Sequence, residues 1–299
     1  MDPRINLLLQ QILSGVASGS LFALLGLALV LVYRSTGMLN FAQGELALLA
    51  VFIAWSVLNW LGNFWLAVGI SLFAAALIGA WLQTYLLRHV QRTSVLQQVI
   101  VTIGLYLFCD GLVLWAWGAE PRGFGPFSIF QGAPLCIDQL CISRLDAGTL
   151  LTALLVMVLL YLLFQHTKLG KALRATAENP VASLMVGIPV ARMFAIGWAL
   201  SSAVGALAGL LAAQALGLDP TFMSSLLPLA FAGAVLGGLE SPPGAVVGGL
   251  LIGVLKNLAG AYLSPQLGNI DLSIAFGVIG LVLLIRPEGL LGEHKMQKV

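Results

Sequence analysis

Charge is the scarcest property of this chain. Only 9% of its 299 residues are Asp, Glu, Lys or Arg, against about 25% in an ordinary soluble domain. The deficit runs along the whole length, which leaves no room for a sizeable soluble domain and reads as one membrane domain over residues 1–299. The few positive charges are flanked by apolar runs, which excludes a nucleic-acid surface. Histidine is as sparse: His89, His166 and His294 stand apart without ligand spacing, so no metal site is expected. No G-x-x-x-x-G-K-[S/T] phosphate loop occurs, so the chain is not expected to be an enzyme that hydrolyses ATP by that route, and no cofactor is expected. The opening Met1-Asp2-Pro3-Arg4 is too poor in basic charge for a signal peptide, so the first apolar segment is expected to be retained.

Cysteine is nearly absent too. Cys109 lies in an apolar run and reads as a buried small hydrophobe. Cys136 and Cys141 share a polar loop, and their spacing leaves both a disulfide and two free thiols open.

What the chain has instead is hydrophobicity: 60% of its residues are apolar and the mean hydropathy is +1.00. A membrane-crossing helix needs about 20 mostly apolar residues. Runs of that kind cover roughly 12–32, 41–58, 64–87, 97–117, 148–164, 193–216, 223–239, 244–263 and 272–285. The expected fold is an all-α polytopic membrane protein with about eight or nine crossings. Arg88, His89 and Arg92 form one basic loop, and Lys168, Lys171, Arg174 and Arg192 another, over about 165–192. The loop over about 118–147, with Glu120, Arg122, Asp138, Arg144 and Asp146, is slightly acidic. Basic loops stay cytoplasmic, which places the third loop outside. Nine crossings from an external start would also put Lys295 and Lys298 inside; eight would reverse the start.

Two polar interruptions share one skeleton, G-x-L-[N/E]-x-x-x-G: Gly37-Met38-Leu39-Asn40-Phe41-Ala42-Gln43-Gly44, followed by Glu45, and Gly237-Gly238-Leu239-Glu240-Ser241-Pro242-Pro243-Gly244. Irregular polar backbone at membrane depth is tolerated only where protein or a wet cavity surrounds it. Matching interruptions in two halves point to a broken or re-entrant pair in a duplicated transporter, with the two-fold relation parallel or inverted. Gly37, Asn40, Phe41, Gln43, Gly44, Glu45, Gly237, Gly238, Glu240 and Gly244 are the candidate path residues, Asn40 and Gln43 foremost because amides donate and accept without net charge. Phe41 either gates or packs. Asp110 and Lys256 lie inside apolar runs, and Lys256 pairing with Asp110 or Glu45 would lower the desolvation cost. Among the 34 glycines, Gly15/Gly19, Gly205/Gly209, Gly233/Gly237, Gly244/Gly248 and Gly249/Gly253 have G-x-x-x-G spacing, expected of close helix packing.

The segment from Thr167 to Ile188 is amphipathic and basic at its start. Asn179 as cap and Pro180 in the first turn predict a short helix that Gly187 ends. Such a helix, held on the cytoplasmic face between two spans, is a docking knob. Together with N-F-A-Q-G-E at Asn40–Glu45 and the Gly233–Gly244 stretch, this loop makes the chain resemble the permease subunits of bacterial branched-chain amino acid ABC importers, in the broader group that includes ribose-type permeases. The resemblance covers nearly the whole chain. It implies coupling to an ATPase through Arg174, Glu178, Asn179, Ala182, Met185 and Gly187, a relative of the E-A-A-x-x-x-G pattern. Val181-Ala182-Ser183 departs from that pattern at its first and third positions. It also implies partners: a second, homologous permease, two cytoplasmic ATP-binding subunits and a periplasmic substrate-binding protein, in the inner-membrane lipid bilayer. The expected cargo is a branched-chain or other small aliphatic amino acid. Urea or a short amide is the alternative within that group, and a stand-alone ion-coupled carrier the alternative outside it.

Overall fold

A computed structural model describes residues 3–91, 93–124, 130, 132–137, 140–263, 271–286 and 289–292. Arg92, Asp138, His294, Lys295 and Lys298 lie outside the described residues. All nine apolar runs become helices. They are α1 (Pro3–Thr36), α2 (Gln43–Leu61), α3 (Phe64–Trp81), α5 (Val95–Trp117), α6 (Arg144–His166), α9 (Val190–Leu216), α10 (Phe222–Gly237), α11 (Pro242–Tyr262) and α12 (Asp271–Ile285). A π-helical turn, Leu82–Leu87, continues α3 into α4 (Arg88–Val90). Between α6 and α9 lie α7 (Lys168–Glu178) and α8 (Pro180–Met185). Among the described residues seven helices are long and apolar enough to cross a membrane, α10 being shorter, so the chain is an all-α polytopic membrane protein.

Helix ends follow local chemistry. The Asn63 side chain accepts from Leu66 N, and Ser94 with Gln97 forms a full capping box at the start of α5. Gly62 ends α2 in the left-handed region, at φ 64°. At the start of α11 the Ser241 hydroxyl accepts from Gly244 N, with prolines in the first turn.

The described chain divides into two compact units, with boundaries falling inside α1, α6 and α10. One unit comprises residues 28–127 and 156–225. In it α2 packs on α3, α5 and α9, and α3 on α9. Its core joins Met38, Leu46, Leu82, Leu87, Leu105, Cys109 and Trp198. The loops after α5 and α9 meet in a two-way backbone bridge: Arg122 N donates to Leu218 O (2.8 Å) and Leu218 N to Arg122 O (3.1 Å). At the same ends Trp60, Trp65 and Trp115 are exposed, as in the aromatic belt of a membrane interface.

The other unit comprises residues 1–27, 128–155 and 226–299. Its glycines do what their spacing predicted. A side chain on Gly253 would collide with the backbone of Gly19 and Gly15, one on Gly249 with Ala23, and one on Gly248 with the Gly233 carbonyl. Small residues thus bring α1, α10 and α11 to backbone contact within this unit. The segment after α12 returns to the end of α10, where Leu290 N donates to Leu236 O (2.8 Å) and Leu291 N to Gly237 O (3.0 Å). The polar loop forms a hairpin of β1 (Leu135–Ile137) and β2 (Leu140–Ile142), with a Cys136–Cys141 disulfide. Gln10 of α1 holds that hairpin from both sides: its Nε2 donates to Cys141 O (2.7 Å) and its Oε1 accepts from Cys141 N (3.1 Å).

Candidate functional site

Both copies of the repeated skeleton are turns between helices. The first joins α1 to α2. Gly37 takes φ 71° just past α1 and is exposed, and its N–H donates to Tyr33 O (2.7 Å). The chain then dives inward. Asn40 is 2% exposed and Gln43 fully buried; Gly44 is buried beside them and Phe41 half-buried. Asn40 Nδ2 donates to Gln43 Oε1 (2.9 Å), while Asn40 Oδ1 accepts from Ala42 N (3.1 Å). Gln43 Nε2 donates to the Ser201 carbonyl (3.3 Å), and Ser201 Oγ donates to Gln43 Oε1 (3.2 Å) and to Ala28 O (2.7 Å). Gly205 leaves room for this amide, since a Cβ there would strike Gln43 Nε2. The two amides thus spend their hydrogen bonds on pinning the turn to α9.

The second turn joins α10 to α11 in the other unit. Here Gly238, one position later than in the first copy, takes the positive φ, 105°. Gly237 and Gly244 face each other so closely that a side chain on either would overlap the other's carbonyl. Ser241 N donates to Gly238 O (3.0 Å), and Glu240 is half-buried on the turn. The shared glycines therefore serve different local geometries: a left-handed C-terminal cap at Gly37, backbone contact at Gly237.

Glu45, in the first turn of α2, is 2% exposed, and its Oε2 is buried without a hydrogen-bond partner. The charge that reaches it is that of Asp110 on α5, not of a lysine. Lys256 lies in the other unit, its Nζ 5.9 Å from the Phe22 ring centroid. The same condition recurs nearby along the unit containing Glu45. Gln83 Oε1 in the π-helical turn, Trp198 Nε1 and Ser202 Oγ are buried and unpartnered, on side chains at most 3% exposed. Trp198 and Ser202 are one turn apart on α9, and Gly79, one turn before Gln83, is so close to Ser202 and the Trp198 carbonyl that no Cβ fits. Buried polar atoms without partners are rare in folded proteins and call for a water, ion or ligand. Sequence reading missed Gln83, Trp198 and Ser202 because each lies in an apolar run and carries no charge. The available signal was the π-helical turn, a feature frequent at functional sites, which no sequence rule predicts.

The expected docking helix forms as read. Asn179 ends α7 and caps α8, its Oδ1 accepting from Ala182 N (3.0 Å), Pro180 occupies the first turn, and Gly187 leaves at φ 82°. Ser183 is buried, which fixes the orientation. Val181 (63%), Leu184 (58%), Met185 (83%) and Val186 (76%) are exposed. Ala182, Glu178 and Gly187 are exposed too. Arg174 differs. It lies on α7, half-buried, with Nη1 donating to Gln165 Oε1 (3.0 Å).

Comparison with known proteins agrees with this architecture. Residues 11–286 match the family described as branched-chain amino acid transport system / permease component. The high-affinity branched-chain amino acid transport system permease protein LivH of Escherichia coli is 30% identical, over 97% of both chains. The corresponding protein BraD of Pseudomonas aeruginosa is 30% identical, over 99% of this chain and all of its own. A probable branched-chain amino acid transport permease protein LivH of Methanocaldococcus jannaschii is 31% identical, over 95% of this chain and 92% of its own.

Proposed function

Because the chain belongs to the permease family of branched-chain amino acid transport systems, we propose that it is the membrane-spanning subunit of an ATP-driven importer of branched-chain or other small aliphatic amino acids, in the bacterial inner membrane. The observation that carries this reading is α8. A capped helix of six residues that exposes Val181, Leu184, Met185 and Val186 together has no fold-internal reason to do so. Contiguous exposed apolar side chains mark a protein interface. Two cytoplasmic ATP-binding subunits are the proposed occupants, with a homologous permease and a periplasmic binding protein completing the importer. Nucleotide-driven closure of the ATPases would bias α8, and α7 and α9 on either side would carry the displacement to the spans.

The sidedness we infer rests on two contacts. A disulfide belongs to an oxidising compartment, so the β1–β2 hairpin is external, and Gln10 ties the Pro3 end of α1 to it. With nine crossings, Arg88 and the α7–α8 segment are then cytoplasmic, while the bridged loops at Arg122 and Leu218 are both external. The path itself we assign to Glu45, Gln83, Trp198 and Ser202, whose unpartnered atoms offer weak polar contacts to a passing zwitterion, with the Asn40–Gln43 turn as its framework.

Co-purification from native membranes tests the proposal. ATP-binding subunits and a second permease are expected with the chain and lost with Gly187→Arg or Met185→Glu. A chain purified alone that transports without ATP would overturn it in favour of an ion-coupled carrier.

A further inference from the structure

The β1–β2 hairpin joins two helices of the unit that comprises residues 1–27, 128–155 and 226–299. Only Ser143 separates β2 from α6. The Ser143 hydroxyl caps α6 by accepting from Asp146 N (2.9 Å). Arg144 Nε donates to Ala133 O (2.9 Å), which closes the base of the hairpin. On the outer edge of β2, Gln10 of α1 takes both backbone groups of Cys141. The hairpin thereby ties α1 to the start of α6.

In an antiparallel pair a residue turns its N–H and C=O together, either toward the partner strand or away from it. Those of Cys141 turn away, to Gln10, so the central Cys136–Cys141 pair adds no ladder bond. The ladder is left to the flanking pairs, Leu135 with Ile142 and Ile137 with Leu140. A two-stranded hairpin on its own is marginally stable in water. The disulfide is therefore the link that holds β2 in the register Gln10 requires. Cys136 is exposed and Cys141 half-buried, and an exposed disulfide is open to thiol–disulfide exchange.

We propose that the Cys136–Cys141 bond is a redox-sensitive brace between α1 and α6, opened by a dithiol reductant, and that transport falls when it opens. A thiolate of the reductant attacks the exposed Cys136 sulfur, and Cys141 leaves as a thiolate and takes up a proton. The second thiol of the reductant then attacks the mixed disulfide and releases Cys136. The two cysteines gain two electrons and two protons, and the dithiol becomes a disulfide. With the strands unlinked, Cys141 drops out of register with Gln10. Helix α6, which runs from the hairpin to α7, then loses its tie to α1. The brace rests on this local geometry, and its effect on uptake rests on the importer reading.

The test follows hydrogen exchange over residues 135–143 and ATP-driven uptake by the reconstituted importer, before and after dithiothreitol, with opened thiols counted by maleimide. On reduction the Cys141 amide should exchange about tenfold faster or more. Uptake should fall several-fold, and both changes should reverse on reoxidation. Gln10→Leu keeps the disulfide and removes the tie, so it should show the lower uptake without reductant and lose nothing further with it. Cys136→Ser/Cys141→Ser should match the reduced wild type and ignore dithiothreitol. A reduced wild type whose Cys141 amide stays protected and whose uptake is unchanged would overturn the proposal. So would an equal loss of uptake on reduction in the double serine variant, which would place the sensitivity elsewhere. Because exchange is read on the chain itself, faster exchange on reduction in a preparation that shows no ATP-driven uptake even when oxidised would support the brace and count against the importer reading alone.

Discussion

Gln43 and Ser201 bond to each other in both directions: the Ser201 hydroxyl donates to the Gln43 side-chain oxygen (3.2 Å), and the Gln43 amide donates to the Ser201 carbonyl (3.3 Å). Both residues are fully buried, and the pair fixes the α1–α2 turn on α9. Ser201→Ala removes one of the two donors to Gln43 Oε1, which keeps Asn40 Nδ2, whereas Gln43→Leu strands the buried Asn40 Nδ2. Unsatisfied buried groups cost about 1–3 kcal/mol each. Thermal unfolding in detergent should therefore rank the variants wild type, Ser201→Ala, Gln43→Leu in falling stability.

Glu45→Gln and Ser202→Ala should act the opposite way on stability. The Glu45 oxygen and the Ser202 hydroxyl have no partner to lose, and the first substitution also removes a charge facing Asp110. Melting temperatures are expected to hold or rise. Uptake should fall about tenfold, the worth of one lost hydrogen bond of about 1.4 kcal/mol to the cargo. Unchanged uptake would remove these residues from the path.

Glycine contacts within the unit of α1, α10 and α11 predict a steric threshold. Gly253→Val and Gly249→Val place methyl groups on the backbones of Gly19 and Ala23. Overpacking of this kind costs about 1–3 kcal/mol, read as lower yield of folded protein and a lower melting temperature. Gly104→Val and Gly111→Val on α5, where a Cβ would meet no atom within 4 Å, should be tolerated.

Met185→Glu should separate docking from folding. Met185 is 83% exposed, so the isolated chain should melt as wild type while ATPase recovery falls at least tenfold, a loss of about 1.4 kcal/mol or more at the interface. Recovery of ATPases at the wild-type level would remove α8 from the contact.

Thiol labelling checks the sidedness. In intact cells a membrane-impermeant maleimide should label neither Cys136 nor Cys141 until an impermeant reductant opens their bond. Buried Cys109 should label only after unfolding. Labelling from the cytoplasmic face alone would invert the topology.

The apolar runs fixed nine helices before any tertiary contact, because backbone polar groups in a membrane leave the helix as the open-chain solution. Asn179, Pro180 and Gly187 likewise specify α8 locally, through a cap, a preset φ and a left-handed exit. The glycine spacing told of close packing but not of its partners. That Gly253 meets Gly15 and Gly19, or that Gly205 exists to admit the Gln43 amide, depends on contacts between residues far apart in the chain. The roles of the polar groups were decided the same way. Asn40 and Gln43 look like lining in the sequence, yet the fold gives them partners; Gln83, Trp198 and Ser202 look like ordinary span residues, yet the fold leaves them without any. Sequence sets which groups must be satisfied, and only the tertiary structure determines which of them are.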